Sequence, residues 1–180
     1  MARRLFIFEE PDRFLAVARG EPGKRAFFLQ AGQGRAVVTL GVEKMQVAAL
    51  ADRISAVVAA IGEPAGGAEA SDRPALVDEA VEPMVELFRV GALALGWDPD
   101  TKSVLVEARP VNEEGEYPEV TDDDPNADDL LRVRLSAPQA LEFATAAAAV
   151  VVAGRTPCPF CGQPLDPSGH FCTRSNGQLN

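Results

Sequence analysis

Between Leu5 and Gly41 the apolar side chains come in short runs, Leu5 to Glu9, Phe14 to Arg19, Arg25 to Ala31 and Arg35 to Gly41, separated by breaks that contain Gly or Pro. Alternating or doubly apolar runs of this length predict four strands, largely antiparallel. Gly32-Gln33-Gly34 suits a hairpin connection, because glycine enters positive φ without a steric penalty. From Glu43 the period changes. Val47, Leu50, Ala51, Ile54, Val57, Val58 and Ile61 recur at threes and fours, the single buried stripe of a helix that Gly62 and Pro64 stop. The small residues from Gly62 to Asp72 make a connector.

The second half repeats the order. Val85 to Trp97 is apolar on both alternating faces, with Phe88, Val90, Ala92 and Ala94 set against Leu87, Leu93, Leu95 and Trp97, as a central strand covered on two sides would be. Lys102 to Arg109 and Leu130 to Leu135 alternate more cleanly, with Arg132 and Arg134 outward and Leu131, Val133 and Leu135 inward. Ser136 and Gln139 form a capping box at the start of a second helix. Its stripe is Leu141, Ala144, Ala148 and Val151, and Gly154 stands where a left-handed C-terminal residue is wanted. Each half thus runs strand, strand, helix, the pattern of a diverged internal repeat. The predicted fold is α+β: a mainly antiparallel sheet of about six or seven strands with two helices over residues 1–155, followed by a small knuckle over 156–180.

Composition sharpens this picture. With 47% hydrophobic and 24% charged residues over 180 positions, wholesale disorder and disulfide-dense secreted scaffolds are disfavoured. The net charge of −10 is local, since residues 111–129 hold nine acidic and no basic side chains. An acidic field repels phosphate backbones, which argues against nucleic acid as a partner. Arg3 and Arg4 precede only four apolar residues before Glu9, too few for an export signal. The alanine-rich run 144–153 is half the ~20 residues a bilayer requires. A cytoplasmic protein without membrane insertion is expected.

All three cysteines and the only histidine fall inside one window: Cys158, Cys161, His170 and Cys172. In C-x-x-C a tight turn brings two thiolates to one metal; Pro159 stiffens that turn, and Gly162 lets the chain leave it. An imidazole and a third thiolate complete a tetrahedral Cys3His site for Zn²⁺. Four protein ligands leave no position for water, so the zinc is structural. Residues 156–180 hold few large apolar groups and need a metal to offset chain entropy. CPFC also resembles thioredoxin-type redox motifs, but those start a helix, and Gly162, Pro164 and Pro167 prevent one.

Other chemistry is sparse. Asp122, Asp124 and Asn126 mimic the start of a calcium loop, but Ala127 and Val133 stand where Gly and Glu are needed, so a solvated acidic loop is expected. No G-x-S-x-G elbow and no phosphate loop with its lysine occurs. Trp97 continues an apolar strand face and reads as core.

The strings EEPDRF, FFLQA, EKMQVAALADRI, ELFRVGALALGWD and AGRTPCPFCGQPLDPSGHFCTRSNG together resemble DUF3090, an uncharacterised actinobacterial family, over nearly the whole chain. The tail is the most specific part. The resemblance implies that Cys158, Cys161, His170 and Cys172 are motif positions, with Gly162, Pro164, Leu165, Asp166, Pro167 and Gly169 shaping the loop. Thr156 and Thr173 stand where the pattern has proline, and Gln178-Leu179-Asn180 differs from a more basic ending. The family supplies no reaction. The expectation is a zinc-dependent binding or assembly module for an unidentified protein partner, with an enzyme whose pocket lies in the core domain as the alternative.

Overall fold

A computed structural model describes residues 3–21, 24–62, 75–113, 115–118, 122–153, 158–162, 165 and 172. The elements, in chain order, are β1 (Leu5–Phe8), β2 (Arg13–Arg19), β3 (Ala26–Gln33), β4 (Ala36–Val42), α1 (Lys44–Ile61), β5 (Glu86–Asp98), β6 (Ser103–Pro110), β7 (Leu130–Leu135) and α2 (Ala137–Val152). The strands make one sheet of order β1-β7-β6-β5-β4-β3-β2, so the fold is α+β and mainly antiparallel, as predicted. Two pairings, β4 with β5 and β1 with β7, are parallel. Parallel neighbours need a long crossover, and α1 supplies the one between β4 and β5. The β3–β4 hairpin closes through a two-residue loop in which Gly34 has φ 62°.

The sheet cannot be flat. Seven strands ~4.8 Å apart would set its edges about 29 Å from each other. Yet edge strands β1 and β2 are consecutive, and the chain from Phe8 to Arg13 reaches at most about 19 Å. The sheet therefore curls until its two edges meet. In effect β1 and β2 are one bent strand whose first part pairs with β7 and whose second part pairs with β3.

That bent strand has a counterpart in β5, which begins against β4 and continues against β6. The registers coincide outside the bulges of β4–β5 and β5–β6. Thr39 faces Glu86 as Arg132 faces Ile7, Leu29 faces Leu40 as Val106 faces Val133, and Ala16 faces Leu29 as Leu95 faces Val106. Both helices open with a capping box, Glu43 with Gln46 and Ser136 with Gln139. Each of these glutamines also donates to the bent strand: Gln46 Nε2 to the Val90 carbonyl at 3.1 Å, and Gln139 Nε2 to that of Pro11 at 3.3 Å. The repeat is real as architecture, and its unit is three strands and a helix, one strand longer than the sequence suggested.

Both helices contribute to a single core. Val47, Leu50, Ala51, Ile54 and Val58 of α1 are buried, and Val57 and Ile61, the rest of the predicted stripe, are half-buried. On α2 the buried stripe is Ala140, Phe143, Ala144 and Ala147, turned from the predicted one, and Ala148 is exposed. Beyond its first turn only Glu142 and Thr145, both exposed, mark the outer side of this alanine-rich helix, so its phase is weakly specified. Phe143 fixes it here, its ring centroid 4.4 Å from that of Phe14 on β2. The α2 C-cap is Ala153 with extended backbone; Gly154 lies outside the described residues. β5 is the central strand, but of its side chains only Val90 is fully buried, because α1 leaves Leu93, Leu95 and Trp97 half-covered.

The outer face is polar and built. Arg132 bridges Glu107 and Asp122 at 2.6 Å each, and Arg134 binds Asp98 at 2.6 Å and Glu9 at 2.8 Å. Arg4 holds Asp129 at 2.5 Å. Two of the acidic side chains are thus held by arginines, Asp122 by Arg132 and Asp129 by Arg4, while Glu113, Glu116, Asp123 and Asp128 are exposed, as expected of a solvated loop. Residues 75–85 form a strap ahead of β5. The strap starts beside α2, where the Leu76 amide donates to Glu142 Oε2 at 3.2 Å, and passes β2, where the Val77 amide donates to the Asp12 carbonyl at 2.8 Å. It ends over the sheet face opposite the core. There buried Gln30 accepts from the Val81 amide at 2.7 Å and donates to the Val81 carbonyl and to Thr39 Oγ1, each at 3.0 Å.

Candidate metal centre

The chain reaches Cys158 shortly after α2 ends. From Cys158 to Gly162 it makes a tight turn, closed by the Gly162 amide donating to the Cys158 carbonyl at 2.8 Å. Gly162 has φ 73°, a conformation that costs a side-chain-bearing residue a clash and glycine nothing. This turn puts Cys161 back beside Cys158, and Cys172 joins them from the far side of the loop. The three Sγ atoms lie within 4.8 Å of one another. None is in a disulfide.

Burial and hydrogen bonding act on Cys158 in opposite directions. Cys158 and Cys172 are buried, at 2% and 1% exposure, while Cys161 is half-buried. Burial by itself pushes the Cys158 thiol up. Amide hydrogen bonds from Cys161 and Phe160, the latter 3.4 Å from Sγ, and side-chain hydrogen bonds with Cys161 and Cys172 outweigh it and hold the group below the usual thiol range. The thiolate is the form that binds a metal, and a lowered pKa makes it easier to reach. The spacing fits as well: thiolates at ~2.3 Å from a tetrahedral ion stand roughly 3.8 Å apart.

Cys158, Cys161 and Cys172 are thus brought together as the spacing predicted. His170, the fourth predicted donor, lies outside the described residues, as does most of the 156–180 segment. The calcium pattern does not assemble. Asp122 is taken by Arg132, and Asp124 Oδ1 accepts from the Asn126 amide at 2.9 Å, a local turn. Among the described residues no other group of His, Cys, Asp and Glu is placed to hold a metal ion. Sequence reading missed the strap and the cleft between α1 and β5. The only signal for either was the matching glutamine three residues after each helix cap.

These features define an α+β protein with a curled, internally repeated sheet and a three-cysteine cluster able to hold a metal ion. A family model described as "Protein of unknown function (DUF3090)" matches residues 6–172, and the chain belongs to that family. No curated protein and no solved structure matches it. Among the described residues no helix is long and apolar enough to cross a membrane.

Proposed function

We propose that this chain is a cytoplasmic binding or assembly module whose C-terminal segment is organised by one structural Zn²⁺, held by Cys158, Cys161, His170 and Cys172. The observation that carries this reading is the convergence of three thiols, two of them buried, within 4.8 Å. Three soft sulfur donors and an imidazole suit a borderline-soft d¹⁰ ion better than Mg²⁺ or Ca²⁺, which take oxygen. When bound, zinc supplies folding energy, roughly 10 to 16 kcal/mol in small peptides at neutral pH, and no open position for a substrate. The segment 156–180 is read as a separate metal-dependent unit after a core of residues 1–155.

Elemental analysis of the purified full chain tests the metal assignment. One equivalent of zinc is expected in the wild type, and far less in Cys161→Ser and in His170→Ala. Comparable trace metal in all three would defeat the assignment. Full zinc in His170→Ala alone would remove the imidazole from the ligand set.

A further inference from the structure

The internal repeat places two clefts in corresponding positions, one between α1 and β5 and one between α2 and the start of β2. In the second, Phe143 stacks on Phe14, and the strap is seated: the Leu76 amide bonds to Glu142, the Val77 amide bonds to the Asp12 carbonyl, and the partly buried Leu76 packs against the core. By the register of the halves, Glu142, Phe143, Asp12 and Phe14 correspond to Ala49, Leu50, Gly91 and Leu93. Those four residues, with Arg53 and Leu95, line an open cleft of about 210 Å³. The same cleft is therefore built twice, and the chain's own strap fills one copy.

We propose that the α1–β5 cleft binds an extended peptide segment of a partner protein, one leucine-sized side chain entering the cleft and a nearby carboxylate meeting Arg53. Three observations fix that chemistry. At about 210 Å³ the cleft is smaller than the ~300–1,000 Å³ typical of small-molecule sites and suits a single apolar side chain. Gly91 lines the cleft at the β5 bulge, in the position that corresponds to Asp12, whose carbonyl accepts from the Val77 amide of the strap in the other half. The charge is inverted relative to the filled copy. Glu142 gives way to Ala49, and Arg53 stands where the other half has Ala146. Arg53 makes no hydrogen bond or ion pair among the described residues, so the cleft offers a cation on an acidic protein. The strap itself, Ala75-Leu76-Val77-Asp78-Glu79-Ala80-Val81-Glu82, combines an apolar residue with carboxylates.

The proposal rests on the binding-module reading and gives it a partner class, with no contribution from the metal centre. Its test uses the full metal-loaded chain and a fluorescent peptide, ALVDEAVE, copied from residues 75–82. Anisotropy reports binding, and the single tryptophan, Trp97, two residues beyond Leu95 on β5, serves as a second reporter. Saturable binding is expected. Ala49→Leu, which fills the cleft from an exposed helix position, and Arg53→Glu should each weaken it about tenfold or more, with circular dichroism and zinc content unchanged. Glu142→Ala should leave it unaltered. Equal affinity in Ala49→Leu and Arg53→Glu, or loss of affinity in Glu142→Ala, would place the peptide elsewhere and overturn the assignment while leaving a binding module standing. No binding at ~1 mM peptide, a concentration at which even weak contacts register, would overturn the peptide reading with the zinc reading intact. A dimer in sedimentation that Ala49→Leu abolishes would make the occupant a second copy of this chain and also overturn it.

Discussion

Gln30 is the one long polar side chain on β3 that is fully enclosed, at 0% exposure, and replacing it with leucine tests whether the strap is held by that side chain. Gln30→Leu shortens the side chain by one atom and removes three hydrogen bonds, two to the Val81 backbone and one to Thr39. A neutral hydrogen bond contributes about 1 kcal/mol net, and an orphaned buried partner costs ~1–3 kcal/mol. Val81 is 40% exposed, so water recovers part of that loss at its backbone, whereas Thr39 is buried and recovers none. The expected destabilisation is about 2–3 kcal/mol, and for a chain of this size a Tm lower by about 5–10 °C. Urea unfolding measures the first, and amide exchange at Val81 localises it, because that proton loses its acceptor. A change below about 0.5 kcal/mol with Val81 exchange unaltered would mean that the strap is seated without Gln30, by Leu76, Val77 and the contacts of Arg13 with Glu79 and Arg19 with Glu82.

Phe143→Ala should cost about 3–5 kcal/mol in urea unfolding, since it empties a fully packed ring site against Phe14, whereas Ala148→Ser on the exposed side of the same helix should cost little. Ser136→Ala removes a helix cap and should cost about 1 kcal/mol by the same measurement. Gly91→Ala should destabilise by about 1–3 kcal/mol through overpacking, because an added Cβ would lie 2.7 Å from the Val111 Cα. Hydrogen bonds from Arg134, and then from Thr101, hold the Asp98 carboxyl at about 2, below its usual value. The stability this confers is therefore present above the unfolded carboxyl range and lost as pH falls through about 2. Arg134→Gln should raise the Asp98 carboxyl in an NMR titration and flatten stability against pH below about 4. Chelation of the metal should disorder the C-terminal segment and leave core amide exchange unchanged; loss of core protection would contradict a separate metal unit.

The sequence made the elements legible wherever a side chain could lie on only one face. Arg132 and Arg134 against Leu131, Val133 and Leu135 fixed β7, and Ser136 with Gln139 fixed the start of α2. Where nearly every position was apolar, the pattern carried little phase. On α2 only Glu142 and Thr145 mark the outer side, and the buried side is set by an aromatic contact with a strand more than a hundred residues earlier. The curl was hidden for a different reason. β1 and β2 read as two separate short strands, and only their opposite places in the sheet order show that they are one strand serving both edges. The cysteine spacing was legible because coordination chemistry imposes it within a few residues. The second cleft was not, since its meaning lies in comparison with the first.

The bent N-terminal strand also sets an order of assembly. Leu5 to Phe8 pair with Leu130 to Val133, which are made 125 residues later. Until they pair, β7 lacks its outer neighbour and presents an unprotected edge, the kind of surface that nascent chains stick to each other by. Pairing of β1 with β7 closes a loop of 125 residues, and closure over so long a loop is slow.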